Sequence, residues 1–314
     1  MTIHKMLILK MFILLLAVPL ASCKKLKLAG LVRDYQNTLS DSTPNDTTVT
    51  DVSATTDAEG KDAAILSAFF GLDDAMPRIA DRAICEGASG KDGMPVVFSH
   101  ELDLESIQAG DIKVTMASGE TGSIHCVTLA PADDKGELRT LLLIGHYGTI
   151  DDQPVKVEVV GNLLSIDKTI NFKGMSVTPV ALEDGPSIVL AQVIPADKLD
   201  PGKVPTELPW GGGTPCPAGT KQAVNVTWNG GVTKPGGDEL NDSERQKYAV
   251  TVVQADGSES KVTPFAIADL QDGDNNHKLC LDVQGTPKSV FFPAGYLTDP
   301  REDLNADTSM VITE

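Results

Sequence analysis

Val96-Val97-Phe98-Ser99-His100-Glu101-Leu102-Asp103-Leu104-Glu105-Ser106-Ile107, followed by Asp111-Ile112-Lys113-Val114-Thr115-Met116, sets the texture of this chain. Short apolar runs rich in β-branched residues end in Ser, Asp or Gly, which is how strands and turns alternate. The pattern continues through residues 123–129, 139–144, 155–160, 176–180 and 187–194. Strands this short and this regularly spaced suit a β-sandwich. Aromatic residues make up only 4% of the chain, so the expected core is Val, Ile and Leu. Just upstream, Ala63-Ala64-Ile65-Leu66-Ser67-Ala68-Phe69-Phe70 reads as a short helix stopped at Gly71. A buried strand has the same appearance over so few residues.

A second β unit follows a break. Pro195, Pro201, Pro205, Pro209, Pro215 and Pro217, with Gly211-Gly212-Gly213 among them, remove ladder donors and weaken strands, so this region reads as a linker. Beyond it Val224, Val226 and Trp228 alternate, as do Tyr248, Val250 and Val252, then Leu279, Leu281 and Val283, with Val290 and Phe292 after them. The expected organisation is all-β, with two Ig-like sandwich domains at residues 63–200 and 220–314 joined by a linker at 201–219.

The N-terminus carries a different signal. Lys5 and Lys10 precede an apolar run over residues 11–20, too short to span a bilayer and built like an export signal. It ends in Leu20-Ala21-Ser22-Cys23, which resembles the bacterial lipobox. That resemblance implies removal of residues 1–22, lipidation of Cys23 and anchoring to the cell envelope. With Lys24 in place of an Asp retention signal, it favours the outer membrane where there are two membranes. More than one acyl chain, such as palmitate, gives a stable anchor. Residues 23–62 include the Ser/Thr/Asp-rich stretch Asn37-Thr38-Leu39-Ser40-Asp41-Ser42-Thr43-Pro44, and are expected to form a flexible tether.

Residues 96–116 also resemble the opening of bacterial Ig-like surface-protein domains, in which a strand ending in Phe-Ser is followed by a Leu-Asp pair and a Ser/Thr-Ile turn. Such modules are spacers, adhesin parts or enzyme accessories, so the resemblance implies a fold and no mechanism.

Charge narrows the partners. The chain carries −18 overall, and the trimmed form has 24 basic against 44 acidic residues, or −20. Phosphate backbones repel such a surface, which argues against nucleic acid. The basic cluster Lys24, Lys25 and Lys27 belongs beside the anchor. With Cys23 lipidated, Cys85, Cys126, Cys216 and Cys280 form an even set, as expected of disulfides in an oxidising compartment. Three pairings are possible. Closure within each proposed domain favours Cys85–Cys126 with Cys216–Cys280.

Catalytic signatures are scarce. The chain lacks the G-x-S-x-G elbow, and Trp210-Gly211-Gly212-Gly213-Thr214 lacks the ending of a phosphate loop, leaving Trp210 as a stacking candidate for a glycan or protein partner. His100, His125, His146 and His277 show no zinc-type spacing. Two acidic clusters, Asp269, Asp272, Asp274 and Asn276, then Asp299, Glu302, Asp303, Asn305 and Asp307, offer the oxygens that calcium prefers. The first departs from an EF-hand loop, with His277 at the sixth position and Val283 at the twelfth. The function expected is a non-enzymatic binding or structural module with a protein or glycan partner. The alternative is a secreted hydrolase, or its accessory domain, that uses these loops with or without calcium.

Overall fold

A computed structural model describes residues 46–134, 136–196, 198–199 and 213–313. The expected export signal, Cys23, the first part of the expected tether, most of the expected linker and Trp210 lie outside them. Among the described residues no helix is long and apolar enough to cross a membrane.

The chain is nearly all β. Strands β1 (Ile65–Ala68), β2 (Asp92–Phe98), β3 (Ile112–Met116), β4 (Ser123–Thr128), β5 (Thr140–His146), β6 (Pro154–Val159) and β7 (Ser176–Val177) build the first half, with a short α-helix, α1 (Ala80–Ala83), and 3-10 turns at Leu104–Ser106 and Ala109–Asp111. They form two antiparallel sheets, β1-β2-β5-β4 and β3-β6-β7. The second half has β8 (Ile188–Pro195), β9 (Gln222–Trp228), the helical turn α2 (Asp242–Arg245), β10 (Ala249–Val253), β11 (Glu259–Val262), β12 (Ala266–Ala268), β13 (Asn276–Leu281), β14 (Thr286–Phe292) and β15 (Thr308–Val311). Its sheets are β12-β13-β9-β8 and β11-β10-β14-β15. The strand expected at 187–194 is β8. It hydrogen-bonds along β9 with Ala191 opposite Val226, and so belongs to the second sandwich.

Alternation explains the second core. Val224, Val226 and Trp228 of β9, Val250 and Val252 of β10, Leu279 and Leu281 of β13, and Val290 and Phe292 of β14 all face inward and are buried. Every second side chain of a strand points to the same face, so each run fills the space between the sheets. Aromatics are few but central. Trp228, Tyr147, Tyr248, Phe69, Phe70, Phe98, Phe172 and Phe292 are among the largest fully buried side chains, so the core is not purely aliphatic. In the first half Phe98 of β2 meets Phe172 edge-on, 4.9 Å between centroids.

Two expectations change. Residues 65–68 are the strand β1, hydrogen-bonded to β2, instead of a helix. The run is apolar on both faces because both are covered, which removes the periodicity that separates a buried strand from a helix. Residues 46–62, expected in the tether, lie along the first sandwich. Asn162 donates its backbone N–H to Asp46 and its side-chain amide to the Thr48 carbonyl. Asn171 reaches the Val52 carbonyl, and His100 Nε2 sits 3.1 Å from Asp57 Oδ2. Polar side chains of the sandwich hold a segment whose composition offers little apolar burial.

Both disulfides form as Cys85–Cys126 and Cys216–Cys280. The first ties the segment after α1 to β4, and the second ties the approach to β9 onto β13. Loops of 41 and 64 residues are closed, each worth about 4 kcal/mol in the chain-entropy account.

Asp111, ahead of β3, is buried, and neither carboxylate oxygen has a hydrogen-bond partner among the described residues. Burial, then repulsion from Asp46, pushes its pKa up to about 7, with Lys173 opposing. A carboxyl raised in the folded state favours folding at low pH, and that advantage disappears as pH rises through the folded value. Asp111→Asn is therefore expected to melt at a higher temperature than the unmodified chain at pH 8. The two should converge near pH 4, as read by thermal scans at both values.

Candidate functional site

The two sandwiches meet where the β4–β5 connection, residues 129–139, faces the β12–β13 connection, residues 269–275. Close backbone approach nearby depends on Gly230, just after β9. A Cβ there would lie 2.7 Å from Phe69 Cδ1 and 3.4 Å from Pro95 Cγ, so a side chain would force the halves apart. Gly213 donates its N–H to Asp272 Oδ2, and Thr214 donates its N–H to the Leu270 carbonyl while its own carbonyl accepts the Asp269 N–H. Asp269 and Gln271 both adopt positive φ, 63° and 81°, which turns this loop sharply.

The arrangement crowds carboxylates. Oxygens of Asp134, Asp269 and Asp272 lie within 4.8 Å of one another. Glu137 and Asp269, only 2% and 5% exposed, face the ammonium of Lys278 on β13, with Nζ at 3.8 Å from Glu137 Oε1 and 3.5 Å from Asp269 Oδ1. Burial, then the neighbouring Asp269, drives Glu137 well above the ordinary carboxylate range. Asp274 is raised well above it by burial and then Asp272, and Asp272 is raised by burial and then Asp269. Asp133 is pushed to about 6 by burial and then by Asp134. Burial alone would discharge Lys278, but Asp269 and Glu137 outweigh it and raise its pKa. Like charges so close need a proton or a cation between them.

Beside this cluster lies an apolar pocket of about 150 Å³. Phe69, Leu72, Met76 and Leu142 of the first half line it, with Gly230, Gly231 and Asn275 of the second. Thr140 also lines it, and its buried hydroxyl makes no hydrogen bond among the described residues. A volume near 150 Å³ accommodates a group the size of a benzene ring when its walls are apolar.

The acidic residues singled out from sequence separate into different roles. Asp269 and Asp272 reach the cluster. Asp274 accepts from both the backbone and the side-chain amide of Asn276, and Asn276 Oδ1 accepts from Thr227 on β9. Asp299 and Asp303 close their own turn: Asp299 Oδ1 accepts the backbone N–H groups of Arg301 and Asp303, and Asp303 meets Arg301 Nε at 3.3 Å. Among the described residues, neither belongs to a group of metal-capable side chains. Asp133, Asp134 and Glu137 were missed. The signal was the acidic run Asp133-Asp134-Lys135-Gly136-Glu137, which reads as a surface turn until the fold sets it against a loop 130 positions away.

The histidines do not converge. His125 Nε2 contacts the Glu86 carbonyl, and His146 sits between Lys91 and Asp74 on the surface. Asp74, Asp92 and His146 are near enough for a metal, yet Asp92 already accepts the backbone N–H groups of Asp74 and Tyr147. His277 is a core residue, with Nδ1 2.8 Å from the Tyr248 hydroxyl, which in turn accepts from Trp228 Nε1. No protein-family model and no curated protein matches the chain.

Burial holds His277 at about 4, below the usual imidazole value. An unfolded histidine takes up its proton near 6.5, so this group's contribution is complete above that pH and is lost as pH falls towards 4. The stability difference between the unmodified chain and His277→Gln should shrink by about 2 kcal/mol between pH 7 and pH 5. Urea unfolding at the two pH values checks it, and the raised carboxylates, common to both proteins, cancel in the comparison.

Proposed function

We propose that this chain is a lipid-anchored envelope lipoprotein acting as a non-enzymatic binding module, and that its ligand places a ring-sized apolar group in the pocket between the two sandwiches. The observation that carries the reading is the pocket itself: apolar walls drawn from both halves, with one unpaired hydroxyl, Thr140, among them. Ligand sites are typically apolar hollows with a few polar groups that fix orientation. A carboxylate-rich flank favours ligands carrying a positive charge over anions. The two disulfides accord with export, and Leu20-Ala21-Ser22-Cys23 supports the anchor. Intact mass of membrane-extracted protein should begin at an acylated Cys23.

Gly231 gives access to the pocket for a test. Its φ is not in the left-handed region, and a Cβ there would meet only the Asp274 carbonyl oxygen, at 3.9 Å. Gly231→Leu is expected to fill the hollow without disturbing the backbone. Saturable binding of benzylamine by the unmodified chain, followed by ligand-observed NMR, should weaken at least about tenfold in this variant, or about 1.4 kcal/mol. Equal binding by both proteins would exclude the pocket. Turnover of ester, phosphate or glycoside substrates that is lost in Asp269→Ala would replace this reading with the hydrolase.

A further inference from the structure

The carboxylates flanking the pocket have a chemistry of their own. Glu137 and Asp269 are both more than nine-tenths buried, yet Glu137 Oε2 and Asp269 Oδ2 have no hydrogen-bond partner among the described residues. Leaving a buried ionised oxygen unpaired is costly, so such atoms mark a position that a ligand, a water or a proton fills. Lys278 supplies one positive charge at 3.5–3.8 Å from one oxygen of each residue, which leaves the other oxygens unpaired. Asp134 and Asp272, both partly exposed, bring oxygens within 4.8 Å of Asp269.

We propose that Asp134, Asp269 and Asp272, with Glu137 and Lys278 beside them, bind one divalent cation of the calcium type, which fastens the loop at 129–139 to the loop at 269–275. Calcium fits the setting better than magnesium. It accepts six to eight oxygens in irregular geometry, whereas magnesium requires a near-ideal octahedron. The donors come from two loops of different sequence origin, and Asp272 already accepts the Gly213 N–H, which leaves an uneven set of lone pairs. The ion would neutralise the repulsion that the carboxylates otherwise relieve by protonation. The competing occupant of the gap is therefore a proton shared between Glu137 and Asp269. The ion would weaken the pull of this flank on a cationic ligand while leaving the apolar hollow open.

The test uses the full chain, detergent-solubilised, with both disulfides intact and freed of metal by chelation. Titration with calcium chloride at pH 7.5, followed calorimetrically, should show one ion per chain, with a dissociation constant of roughly 10⁻⁵ to 10⁻³ M. Saturating calcium should raise the melting temperature by at least about 5 °C, with a smaller rise for magnesium. Asp269→Asn, which keeps a residue suited to the positive φ at that position, should lose at least about tenfold in calcium affinity. Asp134→Asn, altered at a partly exposed position, should lose affinity as well. A melting temperature that responds to acid and not to calcium would overturn the proposal in favour of the shared proton. Calcium binding unchanged in both variants would overturn the assigned ligands. Benzylamine binding, measured in the same samples, reports on the pocket separately, so either reading can fail alone.

Discussion

One ammonium group among too many carboxylates is the constraint around which the middle of this molecule is arranged. Lys278 projects from β13 towards Glu137 and Asp269, and Asp134, Asp272 and Asp274 are gathered around the same two loops. Removing any of these groups from water is expensive, and the mutual repulsion adds to the cost. The cost is sustainable because each loop is fixed by something stronger. Cys216–Cys280 joins the linker exit to β13, Gly213 and Thr214 close over the 269–272 turn, and β4 and β5 hold the ends of the opposing loop in register. Rigid strands thus impose a local electrostatic arrangement that the loops alone would avoid.

The pocket lies beside the same loops. Gly230 lets the β9 exit approach Phe69 and Pro95, and about 150 Å³ with apolar walls remains beside the acidic loops. A ligand with an apolar ring and a positive charge answers both features at once.

The fold was legible where large apolar residues alternate with small or polar ones along a strand. Val224, Val226 and Trp228, or Val250 and Val252, declare their faces, and the even cysteine count pointed to the bridges found. It was illegible at β1, buried on both sides, and at residues 46–62, where Asn162, Asn171 and His100 supply attachments that composition cannot register. The site was half legible. Asp269 and Asp272 stood out by local density, but Glu137 and Asp134 acquire meaning only through a contact across more than 130 residues. Conversely Asn276, Asp299 and Asp303 looked like ligands by spacing, and the structure engages them in local hydrogen bonds, as Asx residues in turns commonly are.

The central claim is that the loops at 129–139 and 269–275 act as one unit, coupled through the charges between them. Amide hydrogen exchange, followed by mass spectrometry with and without calcium, tests it most directly. The account predicts that both loops gain protection together at the same calcium concentration, while β10 and β14 in the second core stay unchanged. Protection confined to one loop, or spread evenly over the molecule, would contradict it.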